Sequence, residues 1–130
     1  MTGPTRATRQ HNAVTQALAS TDRFKSAQEI YSDLRAGGDT VGLTTVYRHL
    51  QALATAGSVD VLRADDGETL YRFCGTDAHH HHLVCRSCGV SIEVKAPSVE
   101  RWAAQIGAEH GFTELVHDVE IFGTCRKCQR

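Results

Sequence analysis

Two cysteine pairs, Cys85-x2-Cys88 and Cys125-x2-Cys128, stand thirty-six residues apart near the C-terminal end of this 130-residue chain. A two-residue gap lets both thiolates of a pair reach one ion across a tight turn, and two such pairs complete a tetrahedron around zinc. Four thiolates leave no open position, so such a zinc folds the chain rather than catalysing a reaction. Four reduced buried thiols or two disulfides are the alternative, and the paired spacing disfavours it. Directly before the first pair runs His79-His80-His81-His82. A strand sends successive side chains to opposite faces, so His80 and His82 share one face and His79 and His81 the other. One run thus offers two imidazoles to each of two further sites, where the bland alternative is a solvated or tag-like polar tract.

Other elements must complete those imidazole pairs. Residues 58–62 and Thr69–Phe73 are β-rich runs around Asp65-Asp66-Gly67-Glu68, a turn signal that predicts a hairpin. Asp60 begins this hairpin and Cys74 ends it, so closure brings both to its open base, next to the histidines. Asp60, Cys74, His80 and His82 then supply one oxygen, one sulfur and two nitrogens, and the thiolate favours zinc over a hard cation. Cys74 alone also reads as an ordinary buried thiol. For the other pair, Glu100 lies in the first turn of a helix predicted over 98–110. His117 lies in a strand predicted over 115–122, on one face with Leu115, Val119 and Ile121, and reads equally well as a core histidine. His11, His49 and His110 have no matching partner in the sequence.

The first half of the chain is helical in pattern. Ala13, Val14, Ala17 and Leu18 recur at three- and four-residue spacing, as do Ala27, Ile30 and Leu34. Ser26-Ala27-Gln28-Glu29 has capping-box spacing and predicts the start of the second helix, which Gly37-Gly38 ends. A third helix is predicted over 44–56, with Val46, Leu50, Leu53 and Ala54 on one face and Gly57 as its stop. Tyr47, Arg48, Gln51 and Thr55 fall off that stripe. Three short helices and a hairpin make a winged helix-turn-helix whose third helix enters a major groove. Beyond a linker at 75–78, strands over 81–84, Ser91–Val94 and 115–122 surround the helix at 98–110, with Val99, Trp102, Ala103 and Ile106 on one side. The fold class is α+β: a winged-helix DNA-binding domain over 1–74, then a small α/β metal-binding dimerisation domain over 79–130. The second half has too little apolar content for an independent core and must be held by metal, by dimerisation or by both.

Composition bounds the partners. Fourteen Lys and Arg against fifteen Asp and Glu give a net charge of -1, so any DNA contact uses a local cationic patch rather than a global field. No apolar run approaches the ~18 residues that span a bilayer, and the first residues lack a secretory pattern, so the expected location is cytoplasmic. Five Cys and eight His, a tenth of the chain, read in a reducing compartment as metal ligands before disulfides.

In order, the segments Arg6-x-Thr8-Arg9-Gln10, Ser26-Ala27-Gln28-Glu29-Ile30, Gly42-Leu43-Thr44-Thr45-Val46-Tyr47-Arg48, Tyr71-Arg72-x-Cys74, His79 to Cys88, and Ile121-Phe122-Gly123-Thr124-Cys125-x-x-Cys128 resemble the ferric-uptake-regulator family, and within it the zinc-uptake regulators of actinobacteria. The resemblance covers nearly the whole chain. It implies a dimeric, metal-activated repressor of zinc-uptake genes that binds inverted-repeat operator DNA, with up to three zinc ions per subunit. It carries a structural zinc onto Cys85, Cys88, Cys125 and Cys128, a sensing zinc onto Asp60, Cys74, His80 and His82, and a second regulatory zinc onto His79, His81, Glu100 and His117. It also puts Tyr47 and Arg48 on DNA, with Arg6 and Arg9 on backbone or minor groove. Thr44, Thr45 and the amides beside them are natural phosphate partners.

Three rival readings remain. A sensor of iron, manganese or peroxide in the same family would favour His and carboxylate ligands without a thiolate, which Cys74 opposes. A zinc enzyme needs an open metal position, but the sequence has neither His-Glu-x-x-His nor a zinc-deaminase signature and each proposed site uses four protein ligands, so no catalysis and no small-molecule substrate are expected. A zinc-buffering protein would not need the Tyr47-Arg48 helix.

Overall fold

The Thr5 hydroxyl accepts the Thr8 amide at 3.1 Å and satisfies one of the donors that a helix start leaves unpaired. Helix α1 then runs Arg6–Ala19. The computed structural model describes residues 5–73 and 79–129, so Cys74 and the expected linker at 75–78 lie outside the described residues. The chain divides into two compact units, Met1–Asp77 and Ala78–Arg130. In the first unit, strand β1 (Lys25–Ser26) leads into α2 (Ala27–Ala36). The expected capping box is present: Ser26 Oγ accepts the Glu29 amide at 3.1 Å, and the Ser26 amide donates to Glu29 Oε1 at 3.0 Å.

Helix α3 (Leu43–Thr55) follows Gly42, and strands β2 (Val59–Arg63) and β3 (Thr69–Phe73) form the expected hairpin. Its turn uses Gly67 at φ +86° and an Asp66 carboxylate that accepts the Glu68 amide. β1 pairs with the outer side of β3, giving the order β1-β3-β2. A two-residue strand is too short to carry a period, which is why the sequence pattern missed it. Val14, Leu18, Ile30, Val46 and Leu50 are fully buried at the centre of this unit. At roughly 1.5–3 kcal/mol for each buried aliphatic side chain, such a core can hold a winged helix by itself.

The second unit contains β4 (His81–Cys85), β5 (Ser91–Val94), α4 (Pro97–His110), β6 (Glu120–Gly123) and a 3₁₀ turn at Arg126–Cys128. The sheet order is β5-β4-β6, with β4–β5 antiparallel and β4–β6 parallel. Among the described residues of this unit the buried hydrophobics are only Val84 and Cys85, beside buried His81, His82 and Ser91. That is too little apolar burial to offset chain entropy.

One expectation for this unit needs correction. The strand predicted over 115–122 exists only from Glu120, so His117 is not on a strand face with Leu115 and Val119. Val119 instead gives its amide to His81 Nδ1, and Leu115 packs against Gly107 of α4. The stripe on α4 is real in period but is not buried within the chain: Trp102 is 62% exposed and Ile106 38%.

Candidate metal centres and nucleic-acid face

Cys85 ends β4, and Cys88 sits in the turn after it, where Gly89 adopts φ +80° and its amide donates to the Cys85 carbonyl. Cys125 immediately precedes the 3₁₀ turn and Cys128 ends it, and the Cys128 amide donates to the Cys125 carbonyl. The parallel register that sets Cys85 beside Gly123 brings the second pair to the first. One ligand atom from each of the four lies within 4.8 Å of all the others, and Cys88 Sγ is 3.8 Å from Cys125 Sγ. Zinc–sulfur bonds of about 2.3 Å in a tetrahedron separate the sulfurs by about 3.8 Å, whereas a disulfide needs ~2.05 Å. All four thiols are free, and their spacing fits a tetrahedral metal site better than a disulfide.

Their charges agree. The backbone amides of Cys125 and Cys88 point at Cys85 and lower its pKa to about 5, while hydrogen bonding to Cys125 and burial push Cys128 up to about 12. Four crowded sulfurs do not all ionise unaided. A divalent cation among them removes that conflict, and this all-sulfur donor set fits zinc.

On one side of the histidine run, His79 and His81 meet Glu100 from the first turn of α4 and His117 from the irregular segment before β6. Glu100 Oε1 is 2.7 Å from His81 Nε2, 2.9 Å from His117 Nε2 and 3.1 Å from His79 Nε2, and the His79 and His117 Nε2 atoms are 3.3 Å apart. Bonds of 2.0–2.1 Å to a tetrahedral zinc separate its nitrogen and oxygen ligands by about 3.3 Å. The hydrogen bonds from His81 and His117 hold the Glu100 carboxyl down to about 2, so it is anionic at neutral pH. Three imidazoles and one carboxylate fit zinc or a similar divalent ion. His117, undecided from the residue pattern, belongs to this cluster.

The alternation of the run also holds for the other pair, since the His80 and His82 rings lie edge-on with centroids 4.8 Å apart. Asp60 is half-buried on β2, opposite Arg72 of β3. Cys74 is outside the described residues.

On α3, Val46, Leu50 and Leu53 enter the core, leaving Thr44, Tyr47 and Arg48 exposed and Thr45 half-buried. Gly42 provides no side-chain cap, so the first amides of α3 lack a side-chain acceptor. Arg6 and Arg9 are exposed in the first turns of α1.

Two relationships escaped the sequence reading. His11 and His49 do have a partner, each other: their Nδ1 atoms are 3.3 Å apart between α1 and α3. No short-range signal links positions 38 residues apart on two helices. Glu120 lies beside His82, with Oε1 3.6 Å from Nδ1. Only the register of two strands reveals that neighbour.

Comparison with known proteins gives a consistent picture. Residues 3–122 match the ferric uptake regulator family. A zinc uptake regulation protein of Mycobacterium tuberculosis is 52% identical over 124 residues, 95% of either chain. The crystal structure of FurB from M. tuberculosis, described as a zinc uptake regulator, superimposes with a TM-score of 0.58 at 52% identity, again covering 95% of each chain. A zinc uptake regulator complexed with zinc and DNA gives a TM-score of 0.69 at 26% identity, over 95% of this chain and 83% of that one.

Proposed function

The chain belongs to the ferric uptake regulator family, and on that premise we propose that it is a zinc-responsive repressor of zinc-uptake genes, binding an inverted-repeat operator as a cytoplasmic, zinc-loaded homodimer. The carrying observation is the donor geometry around the histidine run, which completes a four-ligand cluster on one side and holds a second imidazole pair on the other. The identity to a zinc uptake regulation protein supports zinc as the metal.

Up to three zinc ions per subunit follow from the donor sets. Cys85, Cys88, Cys125 and Cys128 hold the structural ion, which replaces the missing apolar core of the second unit. His79, His81, Glu100 and His117 hold one regulatory ion. Asp60, Cys74, His80 and His82 hold the other, which ties the winged helix of 1–74 to the metal-binding domain of 79–130. Zinc supplies a fixed tie there: two recognition helices then keep the separation an inverted repeat demands, while metal-free protein samples other arrangements. By linkage, operator DNA tightens zinc binding by the same factor that zinc tightens DNA binding.

Homodimerisation is supported by apolar side chains that the second unit leaves in solvent, among them Trp102, Phe112 and Val116, the last 89% exposed. For DNA, Arg48 can read guanine or hold phosphate, Tyr47 can pack on a thymine methyl, and Thr44, Thr45 and the uncapped amides of α3 suit phosphate. Arg6 and Arg9 add backbone or minor-groove contacts. Among the described residues no helix is long and apolar enough to cross a membrane.

The test is fluorescence anisotropy on a DNA site selected from random inverted repeats, at buffered free zinc, iron(II) and manganese(II). Zinc should support tight binding at the lowest free concentration. Equal or better support by iron or manganese would make the protein a sensor of those metals, and failure to select any site would make it a zinc buffer.

A further inference from the structure

We infer that Glu120 is a positioning residue for the regulatory zinc at Asp60, Cys74, His80 and His82: it faces His82 Nδ1 and so presents Nε2 to the metal. The inference rests on the proposed assignment of that site. In the parallel pairing of β4 with β6, His82 is the partner of Glu120, so both side chains leave the same face of the sheet. The His82 side chain is 6% exposed and that of Glu120 26%, with Oε1 3.6 Å from Nδ1. That separation is an ion-pair approach, a few tenths of an ångström longer than a hydrogen bond, and a small rotation of the glutamate closes it. The backbone at this point is fixed, since the His82 amide donates to the Val119 carbonyl at 3.3 Å.

A neutral imidazole carries one proton on one of two nitrogens. With the proton on Nδ1, the ring donates toward the carboxylate and keeps a lone pair on Nε2 for a cation. With the proton on Nε2, a buried lone pair faces a carboxylate and nothing remains for the metal. Glu120 therefore selects the metal-ready form, and its charge makes Nε2 a stronger donor.

The test compares wild type, Glu120→Gln, Glu120→Ala and His82→Ala, all retaining the structural zinc as checked by native mass. Zinc affinity is read by chelator competition, and the His82 tautomer by imidazole nitrogen NMR in alkaline buffer before regulatory zinc is added. Wild type should hold the Nδ1–H form. Glu120→Ala should move it toward the Nε2–H form that an isolated histidine favours and weaken the regulatory zinc about 10–100-fold. Glu120→Gln keeps an acceptor oxygen and should fall between the two. If His82→Ala weakens zinc but Glu120→Ala changes neither tautomer nor affinity, this inference is wrong and the site stands. If His82→Ala binds regulatory zinc like wild type, the site assignment itself fails.

Discussion

Leu115 fills the space that a Cβ on Gly107 would need: an added methyl would lie 2.3 Å from Leu115 Cδ1. A glycine inside α4 costs roughly 0.5–1 kcal/mol relative to alanine, and here it admits the only leucine of the segment between α4 and β6. Leu115 is 46% exposed, so it can swing outward, and the displaced packing offsets the gain in helix propensity. Gly107→Ala alone should therefore change stability little. In a Leu115→Ala background the same substitution should stabilise by about 0.5–1 kcal/mol. Thermal melts of the four proteins at saturating zinc give the coupling, and equal gains in both backgrounds would show that the contact does not form.

Chelation should separate the two units. The first has an apolar core, whereas the described part of the second buries only Val84 and Cys85 among its hydrophobics, worth a few kcal/mol at about 25 cal/mol per Å². A structural zinc contributes roughly 10–16 kcal/mol in small zinc-dependent peptides, so the second unit depends on it. Cys125→Ser, or a strong chelator, should abolish the melting transition of the second unit and leave that of the winged helix. Circular dichroism and calorimetry read both. A single unchanged transition after verified zinc loss would mean that the four-cysteine cluster is not structural.

The sequence carried more of the site than of the fold around it. The cysteine pairs and the alternation of the histidine run are local patterns, and both survive intact in the geometry. The capping box at Ser26 and the hairpin turn at Gly67 are likewise written in a few adjacent residues. What failed needed distant information. The apolar residues Leu115, Val116 and Val119 read as a strand, but β4 begins at His81 and offers a ladder only from Glu120 onward. The residues before it found other partners, namely Gly107 and His81 Nδ1. The His11–His49 pair and the neighbourhood of Glu120 depend on how helices and strands meet, which no short window contains.

Acid should weaken the winged helix through His49. Burial, then His11, then Arg48 lower its pKa below the usual 6.5, because the folded protein resists charging an imidazole beside another imidazole and a guanidinium. The unfolded chain takes up the proton near pH 6.5, while the folded chain does so only at lower pH. Stability is therefore full above about 6.5, declines as pH falls through that value, and levels off below the lowered folded pKa. The site is partly solvated, so the effect is modest. His49→Gln should flatten this part of the profile in chemical denaturation at pH 5 to 8, and an identical slope in wild type and variant would assign the dependence to other groups.

Arg48 and Arg6 should fail in different ways on DNA. Arg48 projects from the middle of α3, one residue after Tyr47 and off the buried Val46–Leu50–Leu53 face, so it can reach base edges in a major groove. Arg6 opens α1, a different helix, where a backbone contact is the natural role. Arg48→Ala should cost about 1–3 kcal/mol on the preferred site and less on scrambled DNA, reducing discrimination. Arg6→Ala should weaken both sequences alike and lower the slope of log affinity against log salt by about one, because one fewer phosphate is neutralised. Anisotropy across a salt series at saturating zinc measures both quantities. If Arg48→Ala weakened specific and scrambled DNA equally, with a matching loss of salt slope, Arg48 would be a phosphate clamp, and sequence reading would fall to Tyr47 and the rest of the exposed face of α3.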